Sequence, residues 1–244
     1  LDGSSLEERV LSHAVTLSKA FESKVTLLRV VHEEASENQH GMVNPMDWQM
    51  RKSTAEAYLQ SVKNRLNDIG LDCEIHIAEG LPPEQIIGFA KNEAVDLVIM
   101  SSHGRSGPSA WNINSTVQKV LLRSFIPAMI VRAYQEEQQD LEAVTYQRLL
   151  LPLDGSKRAE CILPLAESIC KLQDSEVFLT HIVEEPKLPR QTPVTNEIKT
   201  LIDQLREINI NEAEKYFKTI EKHFPEENVE LIIESSNEPT VALH

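Results

Sequence analysis

The segment from Ser101 to Thr116 carries residue types that suit the binding of an anion. It reads Ser-Ser-His-Gly-Arg-Ser-Gly-Pro-Ser-Ala-Trp-Asn-Ile-Asn-Ser-Thr. Gly104 allows backbone amides to approach a ligand closely, and Asn114 adopts a left-handed backbone more readily than most residues. Ser115 or Thr116 begins a predicted helix, whose free N–H groups carry a partial positive charge. The segment therefore favours a phosphate group as its ligand.

The distribution of charge agrees with an anion at this segment. The chain has 24 Lys and Arg against 38 Asp and Glu, a formal net charge of −14. Residues 101–132 nevertheless contain no Asp or Glu, and they contain Arg105, Lys119, Arg123 and Arg132. A strongly acidic protein repels polyanions, so we expect neither a nucleic acid nor an anionic membrane as a partner. A small anion at the acid-free stretch remains compatible with this charge.

Two aspartates, Asp2 and Asp154, lie in a repeated sequence. Leu-Asp-Gly-Ser occurs at 1–4 and again at 153–156, and Val-Thr-Leu-Leu-Arg-Val-Val at 25–31 matches Val-Phe-Leu-Thr-His-Ile-Val at the same offset of 152. A third match, of 73–77 with 229–233, needs an offset of 156. An internal repeat of this length decides the architecture, because each copy must fold in the same way.

Within each copy, helical and extended patterns alternate. The first copy has predicted helices at 5–21, 51–69, 83–92 and 115–123 and strands at 25–31, 71–78, 95–101 and 128–132; the second has helices at 157–172 and 195–222 and strands at 148–153, 175–183 and 228–234. Such alternation is typical of parallel sheets with helices on both faces. The sequence therefore predicts an α/β fold of two tandem copies of a doubly wound, mostly parallel five-stranded sheet flanked by helices.

The repeat also predicts domain boundaries. We expect a first domain at 1–132, a linker at 133–147 and a second domain at 148–244. The linker segment is polar and acidic, and it is equally compatible with a short helix docked on one domain. The opening Leu-Asp-Gly-Ser resembles the end of a clipped strand. By comparison with the first copy, the second is expected to lack its C-terminal part.

Composition points to a folded cytoplasmic protein. The chain is 41% apolar and 25% charged, which argues against disorder. No apolar run is long enough for a membrane span, and no signal peptide pattern opens the chain. Cys73, Cys161 and Cys170 show no spacing typical of a disulfide framework or a metal site. We therefore expect a reducing compartment, no membrane and no metal site.

In a parallel sheet, ligands bind outside the carboxyl ends of the strands, where the strand order reverses. The segments after the first and fourth strands of a copy are therefore the candidate binding loops. The first loop carries Asp2 in copy one and Asp154 in copy two, and the fourth is the segment at 101–116. Either aspartate could instead serve only to hold the corner between strand and helix as an Asx-turn or N-cap.

Together these motifs resemble the universal stress protein family in a tandem two-domain form. The family's nucleotide motif is Gly-x-x-Gly, nine residues, then Gly-Ser or Gly-Thr, and it falls here on Ser101, Gly104, Asn114 and Ser115. Ser101 and Asn114 depart from the pattern, since both stand where the family has glycine. The Asn114 side chain takes space beside the phosphate, and about 1 kcal/mol of affinity is expected to be lost there. The resemblance implies a Rossmann-like fold of the adenine-nucleotide alpha-hydrolase type.

The resemblance also implies a role for individual residues. Asp2 is expected to accept a hydrogen bond from adenine, and Val30 to contact the base. The residues expected near the ribose or α-phosphate are Ser101 and His103. Those expected to line the phosphates are Gly104, Asn114, Ser115 and Thr116. In copy two only the adenine side, Asp154 and Ile182, is present. The implied cofactor is ATP or AMP, with or without Mg²⁺.

These observations favour a universal stress protein that binds ATP or AMP in its first domain and acts as a regulatory, dimerising protein of the stress response. The family resemblance implies assembly through the last strand of each domain, here 128–132, either as a homodimer or as an intrachain pseudo-dimer. A nucleotide-free interaction scaffold is the alternative. A slow ATPase is the weaker alternative, because no residue is predicted to be catalytic.

Overall fold

The structure, a computed structural model, describes residues 1–32, 45–102, 115–132, 141, 143–184 and 195–236, without the side chains of Ser5 and Leu6. His103, Gly104 and Asn114 of the candidate loop lie outside the described residues. The chain divides into two compact units, Leu1–Val144 and Thr145–His244. No helix in the described ranges is long and apolar enough to cross a membrane.

Unit 1 alternates helices with parallel strands. In chain order its elements are α1 (Ser5–Glu8), α2 (Val10–Phe21), β1 (Val25–Val31), α3 (Pro45–Asp68), β2 (Cys73–Glu79), α4 (Pro82–Asn92), β3 (Val98–Ser101), α5 (Ser115–Arg123) and β4 (Ala128–Val131). Strand β1 pairs with β2, and β3 pairs with β4, both in parallel. The backbone nitrogen of Leu1 donates to the carbonyl of Leu28 at 2.7 Å, so the opening residues extend along β1.

The core of unit 1 lies between β1, β2 and two helices. Leu11 and Val15 are one turn apart on α2 and are almost fully buried. On α3 the buried residues Leu59, Val62 and Leu66 follow helical spacing and pack into the same cluster. The buried positions of α3 begin only at Ala55, so its first ten residues are available for another role.

Unit 2 repeats this arrangement with three parallel strands in the order β5-β6-β7. Its elements are β5 (Arg148–Pro152), α6 (Lys157–Glu160), α7 (Leu163–Gln173), β6 (Glu176–Glu184), α8 (Asn196–Ile220), two short 3₁₀ helices (Glu221–His223 and Glu226–Asn228) and β7 (Val229–Ser236). The aromatic ring of Phe217 is fully buried at the centre of its core, with Leu179 of β6 and Cys170 of α7. Parallel strands joined by helices confirm the predicted α/β class.

Corresponding hydrogen bonds recur in the two units at the sequence offset of 152. Leu153 N donates to Thr180 O at 2.9 Å, as Leu1 N does to Leu28 O. Glu22 follows α2 as its C-cap with a left-handed φ of 49°, and Asp174 follows α7 as its C-cap with a left-handed φ of 54°. Register agrees as well, because Val25 lies beside Cys73 and Val177 beside Val229.

Three helices differ clearly from their predicted extent. The helix expected at 5–21 is divided at Arg9, and that expected at 157–172 is divided at 161–162. In unit 2 the break consists of hydrogen bonds of the i to i+3 kind, from Cys161 N to Arg158 O and from Ile162 N to Ala159 O. Such bonds tighten one turn and interrupt an α-helix. Helix α3 begins at Pro45, six residues before the predicted start at 51. Its first turns bury no apolar face, so the sequence shows no apolar periodicity there.

The described part of the predicted linker is not helical. Residue Leu141 packs against the core of unit 1. The Thr16 hydroxyl accepts from Val144 N at 2.7 Å and lies 3.0 Å from Val144 O. Tyr146 N in turn donates to the Gln173 side chain at 2.5 Å, within unit 2. The division between the units therefore lies inside 133–147.

Candidate functional site

A cavity of about 780 Å³ opens in unit 1. Val30, Val31 and His32 at the carboxyl end of β1 form one wall, and Ile99, Met100 and Ser101 of β3 form another. The start of α5 and the first half of α3 close its sides. The cavity therefore lies where a parallel sheet places its ligands.

Four of the predicted site residues line this one cavity. They are Asp2, Val30, Ser101 and Thr116. Ser101 is buried, whereas the other three are half-buried. Ser115 is exposed and does not line the cavity, although it begins α5. The fold thus brings together side chains that are up to 114 positions apart in the sequence.

Asp2 holds the turn into α1. Its Oδ1 atom accepts from Ser4 N at 2.7 Å, which makes an Asx-turn. Ser4 then caps the helix by accepting from Glu7 N at 3.3 Å. Gly3 between them has a φ of +87°, and a Cβ atom there would lie 3.0 Å from Arg29 Nη1. The turn thus requires glycine at position 3 and gives Asp2 a structural role at the cavity wall.

Glu7 adds a second carboxyl group to the same wall. It accepts a hydrogen bond from Asp2 N and lines the cavity. Burial raises the pKa of Glu7, and the nearby Asp2 carboxylate acts in the same direction. This residue was missed in the sequence, because a Glu three positions after a helix cap is ordinarily a capping residue.

A polar cluster behind the cavity ties α1 to α3. The Tyr58 hydroxyl donates to Glu8 Oε1 at 3.1 Å, and Arg65 donates to Glu8 Oε2 at 2.7 Å. The guanidinium of Arg29, a cavity residue, lies 5.1 Å above the centre of the Tyr58 ring. Burial and the Glu8 carboxylate raise the pKa of Tyr58, so its hydroxyl stays a donor. The cluster fixes the position of the Arg29 side chain beside the turn at Gly3.

The relatives of the chain agree with this architecture. The model of the universal stress protein family matches residues 1–132. The chain belongs to this family. It is 24% identical over 140 residues to universal stress protein MJ0531 of Methanocaldococcus jannaschii, which is 56% of this chain and 81% of that protein. It is 27% identical over 140 residues to universal stress protein YxiE of Bacillus subtilis, which is 54% of this chain and 95% of that protein.

A solved universal stress protein from Archaeoglobus fulgidus has the same fold over nearly the whole chain. The match covers 97% of this chain and 76% of that one, with a TM-score of 0.63 and 20% identity. At this level of identity the likeness concerns the fold, which is the Rossmann-like fold of universal stress proteins.

In unit 2 of this universal stress protein, the predicted residues Asp154 and Ile182 occupy positions like those of Asp2 and Val30. Asp154 accepts from Ser156 N at 2.9 Å, the same Asx-turn as in unit 1. Hydrogen bonds from Ser156 lower the pKa of the exposed Asp154. Ile182 is half-buried on β6. Arg29 is replaced by His181, whose Nδ1 donates to Leu153 O at 2.7 Å.

Proposed function

We propose that this universal stress protein binds an adenine nucleotide, ATP or AMP, in the cavity of unit 1 and that occupancy regulates its assembly with partners. One observation carries the proposal: Asp2, Val30, Ser101 and Thr116 line a single cavity at the carboxyl ends of the strands. A volume of about 780 Å³ lies within the range of small-molecule sites.

The two ends of the cavity suit the two ends of a nucleotide. Asp2 offers a carboxylate to the exocyclic amine of adenine, and Val30 offers an apolar contact to the base. Thr116 lies in the first turn of α5, and no acidic residue is present in that turn. Free N–H groups at a helix N-terminus favour phosphate oxygens. The proposed nucleotide therefore lies with its base toward β1 and its phosphates toward α5.

We propose no protein-bound metal ion and no catalytic residue. Within the described ranges, no group of three or more His, Cys, Asp or Glu side chains could hold a metal. Mg²⁺ binds nucleotides chiefly through phosphate oxygens and water, so it would enter this site on the ATP itself. Slow hydrolysis would then be a by-product of binding.

The direct test is to identify nucleotide in the purified protein. Acid release followed by mass spectrometry is expected to yield AMP or ATP, and calorimetric titration of the stripped protein is expected to show saturable binding of both. Protein that carries no nucleotide and shows no heat with either would contradict the proposal and favour the nucleotide-free scaffold.

Asp2→Ala and Asp154→Ala separate ligand binding from the structural role. Both substitutions remove an Asx-turn acceptor with nearly the same hydrogen bond, 2.7 and 2.9 Å long. We expect each to lower the free energy of unfolding by about 1 kcal/mol. Only Asp2→Ala is expected to weaken AMP binding, by about tenfold. Equal loss of AMP affinity in the two variants, measured by calorimetry, would show that the Asp2 carboxylate does not contact the base.

Assembly is proposed to involve β4 and the end of α5. In the described part of the chain β4 pairs with β3 alone, which leaves its other edge available for pairing. Nearby, Leu122 is 85% exposed and Phe125 is fully exposed. Edge strands and contiguous apolar surface are typical of protein contacts. A second copy of the chain is the proposed partner.

Ile130→Lys is expected to disrupt this assembly. Ile130 is half-buried on β4, and a lysine at the edge of a strand opposes further pairing. Sedimentation velocity should show a shift from dimer to monomer, with an unchanged circular dichroism spectrum. Lys24, exposed before β1, offers a control through Lys24→Ala, which should leave the sedimentation profile unchanged. A wild-type profile for Ile130→Lys would remove β4 from the interface.

A further inference from the structure

The first half of α3 forms a wall of the cavity that the sequence motifs do not include. Its cavity residues are Asp47, Met50, Arg51 and Thr54. They fall at i, i+3, i+4 and i+7 and therefore lie on one face of the helix. The apolar core positions of α3 begin one residue later, at Ala55. The helix thus changes from cavity wall to core support along its length.

Contacts on either side fix this wall above the ends of β1 and β2. Arg51 Nη1 donates to the carbonyl of His32 at 3.4 Å, immediately after β1. Trp48 Nε1 donates to Glu79 Oε2 at 3.2 Å, and Lys52 pairs with the same carboxylate at the end of β2. The wall is therefore attached on the side of the cavity where Val30 lies, which is the side proposed for the base.

Met50 stands out on this wall. Its side chain lines the cavity, yet 71% of the residue is exposed. A thioether is flexible and polarisable, and it makes favourable contacts with aromatic rings. An apolar side chain at the mouth of a cavity gains free energy when a ligand covers it. Met46, one turn earlier on α3, is 79% exposed and does not line the cavity.

We infer that Met50 covers the base of the bound nucleotide and that contact between its thioether and the aromatic ring of the base contributes to affinity. This inference rests on the proposed nucleotide function. It makes α3 part of the binding site and assigns a purine base, the larger ring system, as the preferred partner of Met50. Arg51 acts as a positioning residue, because its bond to the His32 carbonyl holds the turn that carries Met50.

Oxidation of methionine by hydrogen peroxide tests the contact in the wild-type protein, since accessible thioethers become sulfoxides. The rates at Met50 and Met46 are measured by peptide mass spectrometry with and without AMP, at a concentration that calorimetry shows to be saturating. We expect AMP to slow oxidation of Met50 by about three- to tenfold and to leave Met46 unchanged. Met46 serves as the control within the same helix.

The outcomes separate this inference from the proposed function. If AMP binds but Met50 is not protected, or if Met46 is protected equally, the inference is wrong and the nucleotide function stands. If neither AMP nor ATP binds to the wild type, both are wrong.

Matched variants measure the energetic effect. Met50→Ala is expected to weaken AMP binding by about three- to tenfold, whereas Met46→Ala is expected to change it by less than about twofold. Binding of ribose 5-phosphate, which has no base, should be the same in the wild type and in Met50→Ala. An equal loss for AMP and ribose 5-phosphate would show that Met50 supports the cavity without contacting the base.

Discussion

Replacing Thr116 with Glu is expected to weaken ATP binding by about 100-fold or more while preserving the fold. Thr116 lines the cavity and lies in the first turn of α5. At about 5 Å and an effective dielectric constant of about 20, one carboxylate and one phosphate charge repel each other by about 3 kcal/mol. A loss of about 2.7 kcal/mol corresponds to 100-fold in affinity. An acidic residue in the first turn of a helix stabilises the helix, so Thr116→Glu should not lower the free energy of unfolding.

Thr116→Gln is the matched control, because it adds nearly the same volume without the charge. Calorimetry should show a small loss with Gln and a much larger loss with Glu. The difference between the two variants should be larger for ATP than for AMP, and it should shrink as salt is added. Equal losses with Gln and Glu would mean that volume alone matters and that no phosphate lies near Thr116.

Of the substitutions considered, Phe217→Ala is expected to lower the free energy of unfolding most, by about 3–5 kcal/mol. Phe217 of α8 is fully buried. Its ring makes a T-shaped contact with the His181 ring at a centroid distance of 6.2 Å and a tilted contact with the Tyr216 ring at 5.4 Å. Truncation leaves a cavity between α8 and the sheet of unit 2, and the surrounding side chains relax only partly into such a space.

Hydrogen exchange measured by peptide mass spectrometry is the appropriate readout, since it resolves the two units. Peptides from β6 and β7 should lose protection in Phe217→Ala. Leu201→Ala on the same helix is the control, because Leu201 is 58% exposed and its truncation should change the free energy of unfolding by less than about 0.5 kcal/mol. Undiminished protection of β6 in Phe217→Ala would contradict the central place of Phe217 in this core.

Much of the fold was predictable because its signals are local. Leu-Asp-Gly-Ser at 1–4 and at 153–156 forms the same Asx-turn in both units, as the repeat suggested. Helix α5 begins at Ser115 and ends at Arg123, as predicted. The universal stress protein family and the α/β class were both identified from residues alone. Short apolar runs and turn residues specify such features without knowledge of distant contacts.

The unpredicted parts of the site depend on distant contacts. The face of α3 that lines the cavity carries Asp47, Met50, Arg51 and Thr54, a mixture with no apolar periodicity. The Glu8 carboxylate accepts hydrogen bonds from Tyr58 and Arg65, which are 50 and 57 residues away in the sequence. Helical spacing places the four α3 residues on one face, but their residue types do not mark that face as a cavity wall. The positions of Glu8, Tyr58 and Arg65 have no spacing that suggests contact. Only the packing of α3 over the carboxyl ends of β1 and β2 brings its first half to the cavity. The same packing brings Tyr58 and Arg65 to Glu8.

The Asx-turn formed by Leu-Asp-Gly-Ser occurs in both units, at 1–4 and at 153–156, but its surroundings differ. A Cβ atom at Gly3 would lie 3.0 Å from the Arg29 guanidinium, whereas one at Gly155 would meet nothing within 4 Å. Both glycines have positive φ, which Asn and Asp tolerate better than other residues. A side chain is therefore strained by the backbone at both positions, and only at position 3 does it also meet a neighbouring side chain. A substitution at position 155 would meet no neighbouring side chain, whereas a side chain at position 3 would displace Arg29, which lines the cavity proposed to bind a nucleotide.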